Sequence, residues 1–346
     1  MVKKSGYYAF VGTNSVRGSL GIYSVFIDGE TLRPELASTH QVSNAGAMDI
    51  SRSKPVIYAG IEGMTFKGFA DGGVIAYSYD ESGTLTEIGA ARSHGQRTCA
   101  ISVDGETKNV YGSNFYEGTL AMWGLDENGA PLPARAVVPS ADIAGAWKAL
   151  HCAAAIGQGY VGVISLTECA LIVYSARDGR RITSYTFPNH PFCRYLCACD
   201  DCLYALMQDP GDIYVFKNHM DENGTIELIQ VISVLREKRE RYGTTTIRPT
   251  QNGKLMLAAA RDSSTVTVFR IAGDGRLELG DVVALPGQTP RDFGISGDGK
   301  IVVSCLQRSN MIAVHRIDDK NATLEYSGYT LKIPSPASTA VTGRMI

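Results

Sequence analysis

The sequence predicts an all-β, seven-bladed β-propeller, and three observations carry the prediction. A short apolar segment ending in small or polar residues recurs seven times, beginning at residues 8, 56, 109, 160, 202, 255 and 301. A period of roughly 50 residues with about four strands per unit is the pattern of propeller blades. Glycine-containing turns such as Asp28-Gly29, Ser82-Gly83, Asp104-Gly105, Asn128-Gly129, Asp178-Gly179, Asn252-Gly253, Asp274-Gly275 and Asp298-Gly299 punctuate the units at the spacing that tight hairpins need. No segment reads as a long amphipathic helix.

Each blade is expected to hold four antiparallel strands. The recurring segment is the second strand. Third strands such as 73–79 and 264–270 alternate apolar and polar residues, as half-buried strands do. Fourth strands follow the glycine turns, as at 276–280. The innermost strand lies just before each second strand, in segments opening near Gly46, Arg97, Leu150, Arg194, Tyr242 and Arg291, with a last one at 336–341. Small residues dominate there because seven strands crowd one axis. The last inner strand lies near the C-terminus and its partner, 8–13, near the N-terminus, so the two ends are expected to close blade 1 together and remove an open sheet edge. The reading is one propeller domain over 1–346, with 235–242 as a solvated loop.

Of the 346 residues, 44% are hydrophobic and 20% charged, with a net charge of −2. That fits a globular chain with an ample core. The balance gives no hint of nucleic-acid binding, which usually shows a basic face, and no run of 18 apolar residues suggests a membrane span. The N-terminal residues lack the apolar stretch of a signal peptide, so a cytoplasmic protein with reduced thiols is expected. A monomer or weak homodimer fits the fold. Four of the eight cysteines crowd into 193–202 as Cys193, Cys197, Cys199 and Cys202. This spacing is not the paired C-x2-C of a zinc knuckle. Strand alternation would put Cys193, Cys197 and Cys199 on one face as small buried thiols. No metal or cofactor is expected.

Adjacent strands run antiparallel, so the start of an inner strand and the end of the next strand share one rim of the central channel. The starts supply Arg97, His151, Arg194, Arg241 and Arg291; the ends supply Glu62, Asn114, Glu168, Gln208, Arg261 and Gln307. Each arginine alone reads as an inter-blade ion pair, and a histidine alone as packed core. Their convergence on one mouth points to a small anion, because guanidinium forks match carboxylate and phosphate. His40, His94, His190, His219 and His315 occupy less suggestive places, with His190 nearest the rim. There is no P-loop, no G-x-S-x-G elbow, no H-x-x-x-H pair and no WD repeat.

These residues resemble the seven-bladed propeller lactonases. The likeness spans nearly the whole chain. It is strongest over Thr289-Pro290-Arg291-Asp292-Phe293 and Gln307-Arg308-Ser309-Asn310, and is seen again at Ser113-Asn114-Phe115-Tyr116, at Gly253 to Arg261 and at His151. The resemblance implies hydrolysis of a small anionic sugar lactone, with a sugar acid as product. It carries catalytic roles onto His151, Arg194 and Arg261, and substrate contacts onto Glu62, Asn114, Gln208, Arg291 and Gln307. His151 would activate water or protonate the leaving oxygen, and the arginines would hold the anion. Gln208 stands where the family has a glutamate, and the family motif around Arg194 is altered to Phe192-Cys193-Arg194-Tyr195. Two alternatives remain open: a lactonizing cycloisomerase of the muconate type, and a non-catalytic propeller that binds a metabolite or protein.

Overall fold

A computed structural model describes residues 5–63, 66–139, 148–189, 192–235 and 243–345. Among them are 28 strands in seven four-stranded antiparallel sheets, with a single 3-10 turn at Gln307–Ser309. Within the described residues no helix is long and apolar enough to cross a membrane. Blade 1 is built from both ends of the chain: Pro336–Val341 is its inner strand, pairing with Gly6–Thr13, which pairs in turn with Gly21–Asp28. The closure continues past the sheet, where Gly6 and Met345 exchange backbone hydrogen bonds. The inner strands of blades 2 to 7 are Ala45–Ile50, Thr98–Asp104, Leu150–Ala155, Cys193–Cys199, Thr244–Pro249 and Pro290–Ile295. Of the 235–242 loop only Leu235 lies within the described residues, as do neither Arg241 nor His190.

The core is a ring rather than a ball. Seven hydrophobic clusters each join two neighbouring blades: blades 1 and 2 meet through Phe10, Ile22, Ile57 and Tyr77, and blades 7 and 1 through Val11, Val25, Val303 and Val314. Second strands are covered on both faces, so they read as continuous apolar runs; Gly6–Thr13, Val56–Ile61 and Ile301–Leu306 are buried throughout. Outer strands alternate with exposed positions, as in Pro34–Gln41.

A repeated contact explains two features of the sequence together. A tyrosine early in a second strand reaches the hairpin of the next blade: Tyr8 Oη donates to Glu81 O at 3.1 Å, Tyr58 Oη to Gly129 O at 2.8 Å and Tyr204 Oη to Gly275 O at 2.8 Å. The turn glycine is therefore a packing residue as well as a turn former. Gly275 has φ +89°, and a Cβ there would fall 2.1 Å from Cys202 Sγ.

Inner strands do not pair with each other, and side chains bridge them instead. Val103 N donates to Asp49 Oδ2 at 2.8 Å, Thr245 Oγ1 to Pro290 O at 2.9 Å, and Thr339 N to Asp292 Oδ2 at 3.1 Å. Polar residues on these strands thus satisfy backbone groups that an edge would leave bare.

Candidate active site

One backbone irregularity recurs in all seven blades at the same place. Near the start of each inner strand the register with the second strand slips, leaving an extra residue. In blade 3, Thr98 opposes Asn114 and Ala100 opposes Ser113, so Cys99 is extra. The same slip leaves Gly46 in blade 2, His151 in blade 4, Arg194 in blade 5 and Arg291 in blade 7. It leaves Ala337 in blade 1, and it falls within Thr245-Thr246 in blade 6. A bulge re-aims a side chain out of the strict alternation of a strand. Seven bulges on one rim form a ring of positions. Gly46, Cys99, His151, Arg194, Thr245 and Arg291 all line a central cavity of about 360 Å³.

Blade 2 fills its place differently. A Cβ built on Gly46 would lie 2.4 Å from Glu62 Oε1. The carboxylate therefore occupies the space that a bulge side chain would take. Its Oε2 pairs with Arg97 Nε at 3.2 Å, and its side chain is only 4% exposed.

His151 and Arg194 are brought into contact, with Arg194 Nη1 directed at His151 Nε2. Guanidinium can only donate, so Nε2 is the acceptor and the imidazole proton sits on Nδ1. Among the described residues, His151 Nδ1 and Arg194 Nε are buried without partners. Phe115 and Phe192 pack edge-on against the imidazole, with ring centroids at 5.7 and 6.0 Å. Burial, reinforced by Arg291, Arg97 and Arg261, pushes the His151 pKa down to about 3. This imidazole is therefore neutral at pH 7 and a poor proton acceptor, which does not favour the expected role of activating water. Beside it, burial and then Glu62 push the Cys99 thiol up to about 12, so it stays protonated. Cys99 lies against the carbonyl oxygens of Leu150 and His151.

The other expected residues divide into groups. Arg291 lines the cavity and, among the described residues, has no hydrogen-bond or ion-pair partner. Gln307 lies outside the channel in a hollow of about 630 Å³ at the rim, together with Glu62, Arg97 and Arg291. Arg261 donates from Nε to Gly243 O at 3.0 Å, and its charge helps to lower the His151 pKa. Asn114 is not brought to the cavity. It is fully buried inside blade 3, donating to Ser93 O and Thr119 Oγ1 and accepting from Thr98 Oγ1. Gln208 is placed by its backbone, whose N–H meets Phe192 O and whose carbonyl accepts from Thr244 N; it lines neither hollow. Glu168 is turned outward to Arg181 at 2.8 Å. Arg97 precedes its strand, with φ 58°, and Cys99 takes the bulge position instead.

The cysteine cluster is also rearranged. The bulge at Arg194 breaks the alternation, so Cys193 packs in the cluster toward blade 4 while Cys197 and Cys199 pack toward blade 6.

Further along the channel stands a polar cluster that the rim argument missed. Arg248 donates to Phe293 O at 2.8 Å and Tyr195 Oη at 2.9 Å, and pairs with Asp292 at 3.2 Å. Asp292 also accepts from Thr246 Oγ1 at 3.0 Å. Burial raises the pKa of the nearby Asp49, although the N–H groups of Val103 and Ile50 oppose the rise. The charged residues in the inner-strand segments 46–50 and 291–295 were the available signal.

The sequence model of the family described as "Lactonase, 7-bladed beta-propeller" matches residues 8–341. The chain is 25% identical over 350 residues to the 6-phosphogluconolactonase of Bacillus subtilis (strain 168), covering 95% of this chain and 97% of the relative. It is 25% identical over 319 residues to the 6-phosphogluconolactonase of Klebsiella pneumoniae (strain 342), covering 89% and 90%. Among solved structures, the periplasmic gluconolactonase of Pseudomonas aeruginosa aligns with TM-score 0.85 at 18% identity, over 97% of this chain and 98% of that one. At that identity the likeness shows the fold.

Proposed function

The chain belongs to the seven-bladed β-propeller lactonase family, and on that premise we propose that it hydrolyses a small anionic sugar lactone at the bulge ring. The observation that carries the reading is the pair of buried, unpartnered donors, His151 Nδ1 and Arg194 Nε, beside an Arg291 with no protein partner among the described residues. A buried donor left unmatched costs about 1–3 kcal/mol, and an oxygen of water or substrate would recover it. The names of the curated relatives point the same way.

In this reading water adds to the lactone carbonyl, the acyl carbon–ring oxygen bond breaks, and the product is a hydroxy acid. Charge develops on the carbonyl oxygen in the transition state. Arg194, fixed by its contact with the neutral His151, stabilises that charge in a site shielded by Phe115 and Phe192. A neutral imidazole suits this work because it adds no positive charge that solvent would have to answer. Glu62 borders both spaces, lining the rim hollow while its Oε1 fills the bulge space of Gly46; through Oε1 it takes the proton of the attacking water and returns it to the departing ring oxygen, since Oε2 is held by Arg97. Arg291 attracts the anionic substrate. Arg261 contributes to the positive field, while Asn114 and Gln208 are left with structural work.

The test is hydrolysis of 6-phospho-D-glucono-1,5-lactone and D-glucono-1,5-lactone, measured above the uncatalysed rate. The wild type is expected to accelerate at least one of them. Glu62→Gln is expected to lower kcat by about 10²–10⁴, and Arg194→Gln by a comparable factor. A wild-type rate no higher than the uncatalysed one overturns the reading; stabilisation by the sugar acid without turnover would replace it with the binding-propeller alternative.

A further inference from the structure

Outside the channel, between blades 1, 2 and 7, lies the hollow of about 630 Å³ that shares Arg291 with the central cavity. It presents four guanidinium groups, those of Arg17, Arg97, Arg291 and Arg308, against one carboxylate, Glu62. Glu62 is committed to Arg97. Arg17 donates only to neutral acceptors, Gln307 O and Asn310 Oδ1, both at 3.2 Å. Arg308 and Arg291 have no partner among the described residues. Three positive charges are thus unopposed on a chain whose net charge is −2.

The hollow is also held in shape. Gln307 Nε2 donates to Asn14 Oδ1 at 2.9 Å, and Asn310 Oδ1 accepts from Ser335 N at 3.0 Å. Arg308 rides on the 3-10 turn that Asn310 ends in a left-handed conformation, φ 50°. Arg17 itself is held at φ 57°, a backbone state that costs a side-chain-bearing residue about 1–2 kcal/mol. Inside the channel, by contrast, Arg194 is occupied with His151 and Arg248 with Asp292.

We propose that the anionic group of the substrate is held in this hollow by Arg17 and Arg308 together with Arg291, while the lactone carbonyl lies at the bulge ring. The inference rests on the lactonase reading and deepens it by assigning Arg17 and Arg308 as specificity residues. Because Arg291 belongs to both spaces, one molecule can reach from the ring to the hollow. The group recognised is a terminal oxyanion remote from the carbonyl. Three unopposed guanidinium groups match a phosphate dianion better than a single carboxylate.

The test uses the full chain carrying Arg17→Gln and Arg308→Gln together, both at exposed positions outside the reacting cavity. Kinetics are compared on 6-phospho-D-glucono-1,5-lactone, on unphosphorylated D-glucono-1,5-lactone and on an aldaric lactone bearing a terminal carboxylate. KM for the phosphorylated lactone is expected to rise by at least about tenfold, with kcat within about twofold and the unphosphorylated substrate unaffected. A rise confined to the aldaric lactone assigns the hollow to a carboxylate. Titration calorimetry with 6-phosphogluconate, with gluconate as control, reads the subsite without turnover. Weaker binding in the variant together with an inactive wild type would refute the lactonase reading and keep the subsite. Equal affinity and equal KM in wild type and variant, or no binding of 6-phosphogluconate to the wild type, would overturn the subsite itself.

Discussion

His151 makes the sharpest demand on solution behaviour. Its ordinary pKa of 6.5 is displaced to about 3 by burial and by the surrounding arginines. A group whose folded-state pKa is depressed lends stability above its unfolded value and withdraws it as pH falls toward the folded value. Between about pH 7.5 and 4.5 the unfolded chain takes up nearly a full proton at this site and the native state almost none. At 1.36 kcal/mol per pH unit, the difference is about 3 kcal/mol. Replacing His151 by Asn keeps an acceptor for Arg194 and removes the titration. Urea denaturation at the two pH values should then show the wild type losing about 3 kcal/mol more than the variant on acidification. Other acid-sensitive groups, including the buried His315 with its pKa lowered by burial to about 4, are common to both proteins and cancel in the comparison. Equal losses would mean that His151 titrates normally in the native state, and would remove the reason for treating it as a neutral partner of Arg194.

Three further expectations separate site from scaffold. Gly46→Ala places a Cβ 2.4 Å from Glu62 Oε1; lactone hydrolysis should fall by about tenfold or more while thermal unfolding barely moves, because the displaced group is the end of a flexible side chain. Gly275→Ala should do the reverse, lowering stability by at least about 1 kcal/mol, since φ is +89° and the new Cβ meets Cys202 Sγ at 2.1 Å; Gly273→Ala, with nothing within 4 Å, is the matched control in denaturant titration. Asp292→Ala strips Arg248 of its carboxylate partner inside the channel and should cost about 3–5 kcal/mol in the same assay.

The blades were legible in the sequence because burial writes a pattern. A second strand covered on both faces must be apolar throughout, and a hairpin turn packed against a neighbour's tyrosine must carry glycine, so Tyr58 with Gly129 and Tyr204 with Gly275 repeat in step. The rim was legible only in part. Position relative to the strand start identified His151, Arg194 and Arg291, but it put Arg97 where Cys99 belongs and promoted Asn114, whose amide is consumed inside its own blade. The same cause misplaced Cys193. A bulge is one extra residue with no compositional signature, and every residue after it changes face.

That hidden residue is what separates fold from function in this chain. The seven bulges take their geometry from the backbone, and side chains as different as glycine, threonine, cysteine, histidine and arginine occupy them. The identity of the residue there can therefore vary while the blade stays folded. Blade 2 goes furthest, leaving its bulge empty as Gly46 so that Glu62 from the neighbouring strand fills the space. The ring then holds an acidic group on one side and guanidinium groups at blades 5 and 7, with the neutral His151 of blade 4 between Phe115 and Phe192. A uniform repeat would surround the axis with one kind of group and polarise nothing. It is the departure from sevenfold identity, at positions where the backbone repeats, that would give the channel a direction along which the carbonyl of the proposed lactone substrate is polarised.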